Sequence, residues 1–324
     1  VRRAKVRTGR SIRGRFALIA CAGLFLSAAD GSGGEPIPAV EAPLAIRSLL
    51  LDGAAAGTRL VVVGERGHIL VSTDRGATWK QASVPVRVLL TAIHMHDERT
   101  GWAVGHDAVI LRTADGGDTW QLVHRAPEEE RPLLDVWFRD ERTGFAVGAY
   151  GYFLATADGG DTWIPRAVGE DDFHLNALAQ AAPDRLFIAA EAGVAYRSDD
   201  GGETWRALAP PYGGSWFDVL ALDEERVLLL GLRGHLFLSE DAGESWRQVA
   251  TGTQATLTGA IRTDSGRAMI TGLEGTVLTG RDDGRSVTLR QLASRRGISS
   301  ALALADGDVL LLGEFGVMRL SEIE

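Results

Sequence analysis

Few side chains in this sequence could do chemistry, and each reaction they suggest lacks a member. His94 and His96 alternate along one predicted strand and so share a side of it, with His106 close by in sequence. A metal site would need at least a third ligand and groups to orient the imidazoles. Trp137 and Arg139 occupy the same two positions one repeat later, so packing explains the pair equally well, and no metal or other cofactor is expected. Glycoside hydrolysis needs paired carboxylates, or in sialidases a tyrosine nucleophile backed by a glutamate and arginines that grip the sugar acid. Glu65, Glu191 and Glu314 are the carboxylates on offer for that role. The tyrosines are Tyr150, Tyr152, Tyr196 and Tyr212, and Tyr152 and Tyr196 fall within predicted strands. Lys5 and Lys80 are the only lysines, which excludes lysine-dependent schemes such as a phosphate-binding P-loop.

What would position these groups is a repeat. The octapeptide Thr113-Ala-Asp-Gly-Gly-Asp-Thr-Trp120 returns letter for letter at Thr156 to Trp163, with close variants ending at Trp79, Trp205 and Trp246. A worn copy keeps Asp282, Gly284 and Ser286 but ends at Val287. The end positions are spaced by 41, 43, 42, 41 and 41 residues, the regular period of a repeat architecture. Each octapeptide has the parts of a hairpin turn. Asp115 can accept N–H bonds from the residues that follow, a glycine can take positive φ, and Trp120 starts the returning strand with its indole over the turn.

A second landmark fixes the count. Hairpins between the second and third strands start at Gly64, Gly105, Gly148, Ala190, Gly231, Gly272 and Gly313, with Gly or Ala three residues on, as in two-residue loops. Seven units of short strands punctuated by Gly and Asp turns give an all-β seven-bladed propeller of four-stranded antiparallel blades. The seventh unit lacks its fourth strand after Val317 to Leu320. Glu35 to Glu41 is expected to supply it and close the ring, since Pro36 and Pro38 suit an outermost strand.

The first 29 residues read as a secretory leader. Arg2, Arg3, Lys5, Arg7, Arg10, Arg13 and Arg15 precede the apolar run Phe16 to Leu26 and the small residues Ser27 to Ala29. The run is too short to span a bilayer. Cleavage after Ala29 would leave a linker, 30–34, a single propeller, 35–324, and a periplasmic or secreted location. Lipidation at Cys21, the only cysteine, is the alternative and would make an outer-membrane lipoprotein. Removing seven basic residues from a chain with 34 basic and 43 acidic ones leaves a charge near −16, which disfavours nucleic acid. No disulfide or thiol chemistry is left.

The octapeptides are Asp-boxes of the bacterial neuraminidase type. Together with Gly101-Trp-Ala-Val-Gly105 and Ile110-Leu-Arg-Thr113 they resemble the photosystem II assembly and stability factor propellers, over about residues 44–320. That resemblance implies an exported, non-catalytic propeller that helps a membrane complex to assemble. The chain departs from the pattern where Val287 replaces Trp. A glycan-binding or sialidase-like hydrolase is the competing reading.

Such a propeller has two faces. The Asp-boxes and the Asp-Glu-Arg-Thr-Gly turns lie on one, the G-x-x-G hairpin tips and the links between blades on the other. The second face is expected to bind an exported or membrane protein through Arg66, Asp107, Tyr150, Glu191, Tyr212, Trp216, Arg233, Glu314 and Phe315. Mixed charge with aromatics is the make-up of such surfaces, and a monomeric ring would present it.

Overall fold

The computed structural model describes residues 34–281 and 284–321, so the leader, Cys21 and Asp282 fall outside the described residues. Within them the chain forms seven antiparallel sheets, each built from strands consecutive in sequence. The innermost strands are Leu50–Ala56, Leu90–Met95, Leu133–Phe138, Leu175–Ala182, Trp216–Ala221, Leu257–Arg262 and Ile298–Ala303. Each packs against the next, and the last against the first, so the sheets are the seven blades of a closed propeller. Second strands such as Arg59–Gly64 and Gly101–Gly105 are almost wholly buried, because apolar residues face both neighbouring blades.

The Asp-boxes form as their letters require. Thr113 Oγ1 accepts from the Gly117 N–H, while Asp115 accepts from the Thr119 N–H and hydroxyl at 3.0 and 2.6 Å. The Trp120 indole N–H donates to the Gly117 carbonyl at 3.0 Å. The matching bonds hold Asp158 at a pKa of about 2, first through the Thr162 hydroxyl and then through its N–H. Each box is also gripped by an arginine from the blade before it. Arg59 reaches Gly116 O and Asp118, Arg112 reaches Gly159 O and Asp161, and Arg197 reaches Ala242 O and Glu244. Part of the arginine content thus has a structural use on this face.

The hairpin tips correct one reading. The second glycine or alanine is left-handed as expected, but in the first six blades the residue before it is too, Arg66 with φ 57° ahead of Gly67 with φ 72°. Four of these tips are short 3-10 turns, and the tip of blade 7, where Gly313 pairs with Gly316, is a two-residue loop. The first glycine is extended, with φ −177° at Gly64. Glycine is needed there because a Cβ would lie 2.1 Å from the Leu49 carbonyl oxygen of the incoming link. Gly64→Ala should therefore cost about 1–3 kcal/mol through forced backbone movement. Denaturant unfolding checks this, and a loss below about 0.5 kcal/mol would show that the link yields freely.

The expected closing strand does not form. Blade 7 has three strands among the described residues, and residues 35–41 pair with none of them. That segment lies on blade 1, with Ala39 N–H donating to Val84 O, Gln81 donating to Val40 O, and Arg87 donating to Pro38 O. Pro36 and Pro38 supply no N–H donors, so a few bonds to its carbonyls satisfy the segment as well as a ladder would. The ring closes through the turn Ala45–Arg47, through packing of Leu50, Leu60 and Val62 against Leu302, Leu310 and Leu312, and through side-chain bonds from Ser300 to Asp52 and from Arg319 to the Arg75 carbonyl.

Candidate functional site

Every innermost strand begins with the same irregularity. Leu50 pairs with Gly64 and Asp52 with Val63, leaving Leu51 unpaired between them, and the other six blades repeat this one-residue bulge. A bulge re-aims the side chain it releases. Here the released residues are Leu51, Thr91, Leu134, Asn176, Phe217, Thr258 and Ser299, one per blade, and all seven line one cavity at the centre of the ring. Its volume is about 540 Å³, and His174, Thr256 and Leu273 form its outer rim. Those rim residues come from a hairpin tip and two inter-blade links, so the cavity opens on the G-x-x-G face.

The wall beneath this mouth is tied together by side chains. Asp52 accepts from Ile93 N–H, Thr91 donates to Leu133 O, Asp135 accepts from Leu178 N–H, and Asn176 donates to Trp216 O. Asp218 accepts from Ala260 N–H, Thr258 donates to Ile298 O, and Ser300 donates to Asp52. Each bond joins one blade to the next, and together they complete the circle. Burial pushes the Asp218 carboxyl up to about 7 against the hydrogen bonds it accepts. Burial also raises Asp135 well above the usual carboxylate range, with Asp52 and Asp218 adding to the effect.

The expected face residues meet different fates. Arg66, Tyr150, Arg233 and Glu314 are exposed, while Asp107, Glu191, Tyr212 and Phe315 are half-buried. Tyr150 is 54% exposed and packs edge-on against His174, with ring centres 4.8 Å apart. Asp107 pairs with Arg125, Tyr212 stacks on His235 at 3.8 Å, and Arg296 lies over Phe315. Trp216 is a correction. It is fully buried in the core between blades 4 and 5, because its place at the start of an inner strand turns it inward. Leu273, 44% exposed at its own tip, is the apolar rim residue that was missed.

The tip carboxylates have a job other than catalysis. Glu65 accepts from Leu49 N–H, Glu191 from His174 N–H, and Glu314 from Gly297 N–H, each fastening the link that enters its own blade. His94 is held neutral, its pKa lowered to about 4 by burial and by nearby His96, and it packs against Phe138. No cluster of three or more metal-ligating side chains occurs among the described residues, and no helix among them is long and apolar enough to cross a membrane.

Comparison with known proteins follows the same lines. The family described as photosynthesis system II assembly factor YCF48 matches residues 71–131 and 125–277. The photosystem II stability/assembly factor HCF136 of Cyanidioschyzon merolae is 37% identical over 81 residues, which span 23% of this chain and 18% of that protein. A solved structure of YCF48 bound to a D1 peptide aligns with a TM-score of 0.70 at 16% identity, covering 89% of this chain and 98% of that one. YCF48 from Cyanidioschyzon merolae aligns at 0.66 and 15% identity, over 85% of this chain and 96% of that one. An ancestral GH74 enzyme aligns at 0.68 and 11% identity, over 86% of this chain and 45% of its own. At these identities the structural likeness is one of fold.

Proposed function

Since the chain belongs to the photosynthesis system II assembly factor YCF48 family, we propose that it is a non-catalytic binding propeller acting outside the cytoplasm. It holds a segment of an exported or membrane protein at the mouth of its central channel and serves there as an assembly or stability factor. The observation that carries this reading is the ring of seven released side chains, which makes a wide opening rimmed by Leu273, Thr256 and His174, with Tyr150 packed edge-on against His174. A broad, mostly apolar mouth with arginine tips around it suits a polypeptide, whose aromatic and apolar side chains can anchor in the centre. The three tip glutamates a hydrolase would need are engaged with backbone N–H groups. The acidic character of the chain argues against nucleic acid as the partner.

The combined variant Arg66→Glu, Tyr150→Ala, Arg233→Glu should weaken retention of the partner from envelope extracts of the native host by about tenfold or more. Stability should stay within about 0.5 kcal/mol of the parent for each change, because all three side chains are exposed. Retention at full strength would remove this face from the account. Turnover of a sialoside or β-glucan by the purified protein, lost in Glu191→Gln, would replace the binding reading with the hydrolase.

A further inference from the structure

The face that carries the channel mouth is divided by charge. The tips of blades 2 to 4 and the links that leave those blades hold eight acidic residues and two arginines. The remaining tips and links, with residues 42–49 entering blade 1, hold three acidic residues and six arginines. The acids gather in two links, Glu128 to Glu130 and Glu170 to Asp172, and all six are exposed. Arg125 pairs with Asp107 and Arg131 with Glu129, so Glu128, Glu130 and the 170–172 run form no ion pair among the described residues. On the other arc Arg47, Arg66, Arg87, Arg233 and Arg296 are exposed and form none either. The acids of that arc are already engaged, Glu65 and Glu314 with backbone N–H groups and Glu274 with Arg295.

Between the two arcs lies the central cavity, which no carboxylate, lysine or arginine lines. Leu51, Leu134, Phe217 and Leu273 give it apolar surface, and the Thr91 and Thr258 hydroxyls are committed to the Leu133 and Ile298 carbonyls of the wall. Below it, each oxygen of Asp52, Asp135 and Asp218 already has a donor. A cationic side chain entering the cavity would have to share or displace those donors. An apolar one fills the space without doing so.

We propose that the mouth selects a dipolar segment of its partner. One apolar side chain sits in the cavity, basic residues lie over the links that leave blades 2 and 3, and acidic residues lie over the arginines of blades 5, 6, 7 and 1. Charge complementarity of this kind sets specificity, because like charges brought together cost free energy. A uniformly basic or acidic segment meets one attractive arc and one repulsive arc, whereas a dipolar segment meets two attractive ones. Nucleic acid or an anionic membrane would match the arginine arc alone. A second copy set face to face would match the charges but leave two cavities apposed and unfilled. The proposal rests on the reading of this face as a protein-binding surface and adds what the bound segment is made of and how it lies.

The test uses three synthetic peptides that share a central phenylalanine between glycines. The first carries three lysines on one side and three glutamates on the other, the second lysines on both sides, and the third glutamates on both sides. The dipolar peptide should bind the whole protein about tenfold or more tighter than either uniform one, and this advantage should fade as salt approaches about 1 M. Replacing its phenylalanine with alanine should weaken binding by about tenfold. Reversing the arginine arc with Arg66→Glu, Arg233→Glu and Arg296→Glu should make the all-lysine peptide the tightest binder, a switch of preference that damage to the fold would not produce. Equal affinity for the three peptides, tightest binding of a uniform peptide by the wild-type protein, no binding of the dipolar peptide at about 1 mM, or face-to-face dimerisation would each overturn the proposal. Capture of the native partner separates the two readings. If Glu128→Lys, Glu130→Lys and Asp171→Lys together leave capture unchanged while Tyr150→Ala loses it, the mouth reading stands and charge selection falls; if neither variant loses capture, both fall.

Discussion

Replacing Trp120 with alanine is expected to destabilise the protein by about 3–5 kcal/mol, the range for deleting a buried large aromatic. Trp120 is 5% exposed and belongs to the core shared by blades 1 and 2, beside Val61, Val71 and Leu111. Its loss opens a cavity at a junction between blades and leaves the Gly117 carbonyl without the indole N–H it accepts. Trp79 and Trp246 make the same bond to their own glycines but are only half-buried, so their alanine variants should cost less. Denaturant unfolding of the three variants gives the ranking. A loss below about 1 kcal/mol for Trp120→Ala would mean that the boxes decorate the blades without joining them.

The second large effect is on pH dependence. The folded pKa of Asp218 lies near 7, above its value of about 4 in the unfolded chain. Folding therefore favours the protonated carboxyl. That stability is complete below about pH 4 and is lost as pH rises through about 7. A shift from 3.8 to about 7 corresponds to at most about 4 kcal/mol, at 1.36 kcal/mol per unit. Asp135 is raised in the same direction, so it extends the decline. The Asp-box carboxylates act with the opposite sign. Asp74, Asp158 and Asp200 are held at about 2 mainly by their Thr hydroxyls, and the stability they confer is lost only as pH falls from about 4 toward 2. The two effects occupy separate windows. Buried His94, lowered to about 4, adds stability as pH rises from about 4 to 6.5. It is therefore between pH 6.5 and pH 9 that the wild-type protein should lose stability, and Asp218→Asn, which cannot ionise, should flatten the curve. A wild-type curve that rises over that interval would show that these carboxylates are ionised in the folded ring.

The blades, their number and the two faces were legible in the sequence because turn chemistry repeats in letters. Asp115, Gly117, Thr119 and Trp120 each make a local bond, and local bonds leave a local pattern. The channel wall was not legible in that way. Asp52, Asp135 and Asp218 lie 83 residues apart, two blades at a time, and the positions between them are Ala92 and Ala177. Apart from the Ser300 hydroxyl that also reaches Asp52, their partners are backbone groups of the next blade, so no residue type there records those contacts. The spacing alone was the available signal. Trp216 was misplaced for a related reason. Aromatic residues near a loop look like surface anchors until the bulge shows that Phe217 turns toward the channel and Trp216 into the core. Closure by Glu35 to Glu41 failed because the missing strand of blade 7 was matched to the nearest spare segment by composition. Composition does not distinguish an edge strand from a strap laid over blade 1.

The most direct measurement is site-specific photo-crosslinking in the native host. A photoreactive residue is placed either at Tyr150 on the channel-mouth face or at Glu141 on the Asp-box face, both of which are exposed. The account predicts an adduct between the Tyr150 position and an exported or membrane protein, with none from position 141. Adducts from position 141 alone, or from neither position under conditions where the partner co-purifies, would contradict it.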